Sequence, residues 1–103
     1  MKLTLATIAA LAFAPQAIAM PPETCAAMSE ASHNIMLARQ RGASATELLK
    51  ILDGQDQAAR SLFIAIIDAA FEAPQMSHPD NQKASATEFA AEVYTMCRNG
   101  GAA

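Results

Sequence analysis

From Pro21 onward, apolar positions recur at helical spacing in four separate stretches, and each stretch is bounded by residues that start or stop helices. Pro21-Pro22 opens the first, because proline is tolerated in a helix's first turn. The expected helix runs from about Glu23 to Arg41, with Cys25, Met28, Ala31, Ile35, Met36 and Ala38 on one broad arc. Gly42 follows as a residue suited to the left-handed conformation that ends helices. Ser44-Ala-Thr-Glu47 is a capping box, and it predicts a short second helix through "ELLKILD" that ends at Gly54.

The third helix is expected over about Asp56 to Ala73 and is the most apolar. Ala59, Leu62, Phe63, Ile66, Ile67 and Ala70 centre its stripe, Ile64 and Phe71 widen it, and Ser61, Asp68 and Glu72 lie opposite. An arc that wide predicts a central helix touching two neighbours. Pro74 stops it. The fourth helix is expected over about His78 to Arg98, with Ser77 as its cap and Pro79 in its first turn; a later start at Ser85-x-x-Glu88 is the alternative. Ala86, Phe89, Ala90, Val93, Met96 and Cys97 share one side, and Asn99-Gly100-Gly101 closes the helix before a flexible tail. No stretch alternates as a strand does. The expected fold is therefore all-α, a single four-helix domain.

The segment before Pro21 has another pattern. Lys2 precedes an uncharged apolar run, Leu3 to Ala14, then Pro15 and the small–x–small triplet Ala17-Ile18-Ala19. Those are the parts of a secretory signal peptide. As a helix the apolar run spans only about 18 Å, short of the roughly 30 Å of a bilayer core. Cys25 follows Pro-Glu-Thr and not a lipoprotein box, so no lipid anchor is expected. Cleavage after Ala19 leaves residues 20–103 as one domain, periplasmic or secreted, with no stable membrane insertion.

Export changes the reading of the two cysteines. A domain this small is marginal without a staple. In an oxidising compartment Cys25 and Cys97 are expected to pair. Cys25 lies in the first turn of the first helix and Cys97 in the last turn of the fourth. A bridge between them requires those two helices to run antiparallel. Zinc is not expected, because there is no Cys-x-x-Cys and the two histidines, His33 and His78, are far apart. The net charge of −3 argues against nucleic acid as a partner, which would want a basic face.

With both cysteines placed, the chain resembles a family of small, uncharacterised exported proteins of proteobacteria and their phages. Cys25, Ala38-Arg39-Gln40-x-Gly42, Ala70-Phe71 with Pro74 three residues on, Ser77, and Phe89-x4-Tyr94-x2-Cys97 carry the likeness in order along most of residues 20–103. His78-Pro79 departs from the more acidic opening that the resemblance leads one to expect for the fourth helix. The resemblance implies a helical, disulfide-linked domain and leaves the activity open.

Arg39-Gln40-Arg41 is the most distinctive polar cluster. On the helical wheel Arg39 falls inside the apolar arc. It is expected to lay its stem on the core and to pair with Asp68, Glu88 or Glu92, or to cap helix-end carbonyls. Gln40 sits at the boundary and Arg41 points outward, and these two are the candidate partner-binding residues. Asp68 and Glu72, one turn apart, form a solvated stripe. Met28, Met36 and Met96 are at core spacing, where methionine fills gaps; a binding surface would need several methionines exposed together. No nucleophile elbow, phosphate loop or calcium loop is present, so no catalytic residue, cofactor or metal site is assigned. Together these features predict a non-enzymatic exported protein that binds another protein, as an accessory or inhibitor factor of the cell envelope. The alternative is a periplasmic acid-stress chaperone that loosens at low pH, when its carboxylates protonate and its Lys, Arg and His charges are left uncompensated.

Overall fold

The computed structural model describes residues 19–100. The predicted leader lies outside the described residues except for Ala19, and residues 101–103 lie outside as well. Four α-helices make up the fold: α1 (Pro22–Gln40), α2 (Ala45–Leu49, continued by a 3-10 turn over Lys50–Leu52), α3 (Gln57–Glu72) and α4 (Pro79–Arg98). No strand occurs among the described residues.

Each helix boundary has a local cause. After α1, Gly42 takes φ 101°, its N–H bonds Arg39 O at 3.1 Å, and the Ala43 N–H bonds Ala38 O at 2.9 Å. This paired closure, with glycine at the left-handed position, satisfies the last carbonyls of the helix. At α2 both arms of the capping box form: Glu47 N–H donates to Ser44 Oγ at 3.1 Å, and Ser44 N–H donates to Glu47 Oε1 at 3.0 Å. Asp56 caps α3 by accepting the Ala59 N–H at 2.8 Å. At α4 the cap is His78 and not the expected Ser77. Pro79 has no N–H to offer, so the first orphan donor is Asp80 N–H, which His78 Nδ1 accepts at 3.2 Å. The helix starts there, and the later start at Ser85 is not used. Asn99 and Gly100 form the closing turn of α4, with their N–H groups bonded to Thr95 O and Cys97 O.

The capping box makes α2 sensitive to acid. Backbone and side-chain hydrogen bonds from Ser44 hold the Glu47 carboxyl below the usual glutamate range. A folded-state pKa below the unfolded one contributes stability above the unfolded pKa and loses it as pH falls through the folded value. The α2 turn is therefore expected to fray below about pH 4. Amide exchange at Glu47 and Leu48 should rise there, and Glu47→Gln should flatten that dependence.

The body of the fold is the antiparallel pair α1 and α4. Cys25 and Cys97 are disulfide-bonded with a Cα–Cα distance of 5.6 Å, which joins the start of α1 to the end of α4. Small residues let the two helices approach. Ala86 and Ala90 on α4 are buried, and Ser29 Oγ–H donates to Ala90 O at 2.8 Å. Ser32, fully buried, returns its hydroxyl to Met28 O at 2.7 Å. Both serines satisfy their polarity on backbone carbonyls, so they sit on the packed face of α1 at little cost.

The expected central position of α3 is not what the structure shows. Ile66, Ile67 and Ala70 of α3 pack with Ile35 and Met36 of α1 and Leu48 of α2. Between α3 and α4, however, there is only slight contact. α1 and α2 cover the stripe of Ile66, Ile67 and Ala70, while the flank that carries Ala65 and Ala69 is left open and both alanines are exposed. α3 does touch two neighbours, as the arc calls for, but they are α1 and α2, and α4 is not one of them.

Candidate functional site

At the end of α1 the three residues of Arg39-Gln40-Arg41 do three different things. Gln40 is 1% exposed and ties the end of α1 to the α3–α4 connection. Its amide oxygen accepts the Met76 N–H at 2.6 Å, and its Nε2 donates to Pro74 O at 2.9 Å and contacts Met36 Sδ at 3.6 Å. Its main-chain carbonyl accepts from Gln75 Nε2 at 3.1 Å and Gln82 Nε2 at 3.3 Å. The expectation of Gln40 as a partner-binding residue is corrected by this burial. A side chain with its donor and acceptor both engaged inside the fold offers nothing to a partner.

Arg39 reaches the same connection. Its Nη2 donates to Ala73 O, the residue that ends α3, and its Nη1 donates to Gln75 Oε1, both at 3.3 Å. The guanidinium carbon lies 4.8 Å from the centre of the Phe71 ring, a cation–π distance. None of Asp68, Glu88 and Glu92 pairs with it; of the two expected roles it takes carbonyl capping, and the helix it caps is α3 and not its own. Its buried Nε has no hydrogen-bond partner. Arg39→Ala should lower stability by about 1–2 kcal/mol in urea unfolding, since the fork and the ring contact are lost together. Arg39→Lys should recover only part of this, because a point charge cannot fork. Arg41 is exposed and makes no side-chain hydrogen bond or ion pair among the described residues.

His33 is half-buried on α1, far in sequence from the exposed His78. Among the described residues no cluster of three His, Cys, Asp or Glu is placed to hold a metal, and no helix is long and apolar enough to cross a membrane.

The concave feature of the molecule lies where α3 and α4 diverge. It is a cleft of about 370 Å³, floored by Met28 of α1. One wall is Leu62, Ala65, Ile66 and Ala69 of α3; the other is Phe89, Val93 and Met96 of α4. Met20 and Gly100 close the end beside the disulfide. Met20 is held there by two bonds to the end of α4: its N–H donates to Cys97 O at 3.3 Å, and its carbonyl accepts from Arg98 Nη1 at 2.8 Å. Glu92 is the one ionisable residue in the lining. Met96 was expected in the core, but it is 47% exposed because α3, the opposite wall, is not packed against α4 there. With Met20, 39% exposed, and Met28, it puts three flexible thioethers into one apolar cleft. Methionine is the side chain best able to repack around different shapes.

Sequence reasoning did not find this cleft: Ala65 and Ala69 lie at the edge of the α3 stripe, and the residues that widen the stripe, Ile64 and Phe71, are not in the lining. Fold and site define a disulfide-clamped all-α domain with an open apolar cleft. Comparison of the chain with protein-family models, with curated proteins and with solved structures finds no match.

Proposed function

We propose that this is an exported, non-enzymatic protein that binds another protein through the cleft between α3 and α4, as an accessory or inhibitor factor of the cell envelope. The observation that carries the reading is the open flank of α3, with Leu62, Ala65 and Ala69, in one cleft with exposed Met96 of α4. Exposed apolar surface of this kind, rimmed by polar residues, is what interaction sites present. A disulfide-clamped body supports it, because the walls are preorganised and less ordering entropy is lost on binding. The acid-chaperone alternative finds less support. Among the described residues no Lys or Arg is ion-paired with a carboxylate, and the His78–Asp80 contact at 4.0 Å is exposed and would be an ion pair only with a protonated imidazole, so acid has little paired charge to release.

Quantitative pull-down from envelope extract tests the reading with wild type, Met96→Asp, Ala69→Asp and Arg41→Glu. The two cleft variants are expected to lose the retained partner at least about tenfold, since a carboxylate there must be desolvated. Their melting temperatures should stay close to wild type, and Arg41→Glu should retain the partner. Retention by both cleft variants, with loss in Arg41→Glu, would move the site to the end of α1. A rise of hydrophobic-dye binding with client protection on acidification would favour the chaperone instead.

A further inference from the structure

Resting on the reading of the cleft as a protein-binding site, we propose that its occupant is an amphipathic α-helix with basic flanks. The chemistry of the walls selects a helix. Three sides of the cleft are helix surfaces whose backbone groups are already bonded internally, so they offer an extended segment no ladder to join. A segment entering this apolar space must satisfy its own N–H and C=O groups, and a helix does so. The dimensions agree: Leu62 to Ala69 on α3 and Phe89 to Met96 on α4 each present two turns, about 10 Å of length. Ala65 and Ala69 are small enough for a helix to approach to the usual 8–10 Å axial separation. Such a helix would cover the flank of α3, with Ala65 and Ala69, that α1 and α2 leave exposed.

The charges around the cleft select the flanks. On α4, Glu92 lines the cleft and Glu88 lies one turn away along the same outer edge. On α3, Glu72 continues the line of Ala65 and Ala69. All three are exposed, and none is in an ion pair among the described residues. Of the cations of the same helices, Arg60 and Lys83 fall at helical positions turned away from the cleft, and Arg98 stands at its closed end with its guanidinium engaged by the Met20 carbonyl. An acidic rim around an apolar floor matches a helix carrying Leu-type residues at i, i+4 and i+7 with Lys or Arg beside them.

Three synthetic helices of about 14 residues test this, the cleft length plus a turn at each end. They share one leucine stripe and carry Lys, Gln or Glu flanks, and their binding to the oxidised protein is read by fluorescence anisotropy near neutral pH. The Lys helix is expected to bind at least about tenfold tighter than the Glu helix, with a margin that shrinks in high salt. Glu88→Gln with Glu92→Gln should bring the ratio close to unity, and Ala69→Trp, which fills the cleft, should abolish binding of all three. Equal affinities, a ratio unmoved by the glutamine pair, or Lys-helix binding that survives Ala69→Trp would each overturn the proposal. A photo-crosslinker at Ala65 separates the two levels. If it captures an envelope protein while no helix binds, this inference fails and the protein-binding reading stands; if neither occurs, both fail.

Discussion

Breaking the Cys25–Cys97 bridge, by reduction or as Cys25→Ser with Cys97→Ser, is expected to lower the melting temperature by about 20 °C. The bridge spans 72 residues of sequence, so it closes most of residues 20–103 into one loop. Chain entropy assigns a loop of that size about 4 kcal/mol, and a domain of this length shifts by about 4–8 °C per kcal/mol. The effect also has a local route. The bridge pins the end of α4 to the start of α1, and Met20, bonded to Cys97 and Arg98, closes one end of the cleft from there. Reduced protein should therefore melt early and also expose the cleft end, with Met20 and Met96 becoming more reactive to mild oxidant. Circular dichroism with and without reductant measures the first, and peptide mass mapping the second. A shift below about 5 °C would mean that the packing of α1 on α4 suffices without the covalent link.

Gln40→Leu is expected to cost about 2–3 kcal/mol, more than any other single substitution in the Arg39-Gln40-Arg41 cluster. The side chain holds Met76 N–H and Pro74 O, two main-chain groups of the connection that aims α4 back along α1. Leucine keeps the volume but strands a donor and an acceptor that the fold has partly removed from water. Stranding is the expensive outcome, because the desolvation of each group is then uncompensated. Urea midpoints give the energy, and faster exchange of the Met76 amide would locate it. Arg41→Glu should stay within about 0.5 kcal/mol of wild type, as exposed substitutions do. If Gln40→Leu behaves like Arg41→Glu, the network is an accessory to the fold and not a determinant of the connection.

These two results would weigh features that were unequally legible. The disulfide could be read, because the expectation of export, an isolated pair of cysteines and two helical stripes all pointed to one pairing. The role of Gln40 could not. A helical wheel ranks positions by polarity, and an amide at the edge of a stripe reads as surface. The loop residues that bury it come from Pro74 to Met76, more than thirty positions along the chain. Ser29 and Ser32 escaped notice for the same reason, since their hydroxyls bond carbonyls of a neighbouring helix and of their own. Arg39 was partly legible. Its place inside the apolar arc indicated a structural role, but the wheel cannot tell a carboxylate partner from the carbonyl of Ala73. The cleft was not legible, because Ala65 and Ala69 lie at the edge of the α3 stripe and the residues that widen it are not in the lining.

What the sequence determined by itself is local: where helices begin and end, because caps, prolines and positive-φ glycines act within a few residues, and which stripe of each helix is apolar, because periodicity is local too. It also determined which sulfurs join. Tertiary structure alone decided which helices face one another. α1 and α4 took the closest packing because small residues and a covalent clamp bring their axes together. α3 was left bound on one side, and the divergence of α3 from α4 opened the cleft. No short-range rule encodes that divergence; it is set by the sum of side-chain volumes where three helices meet.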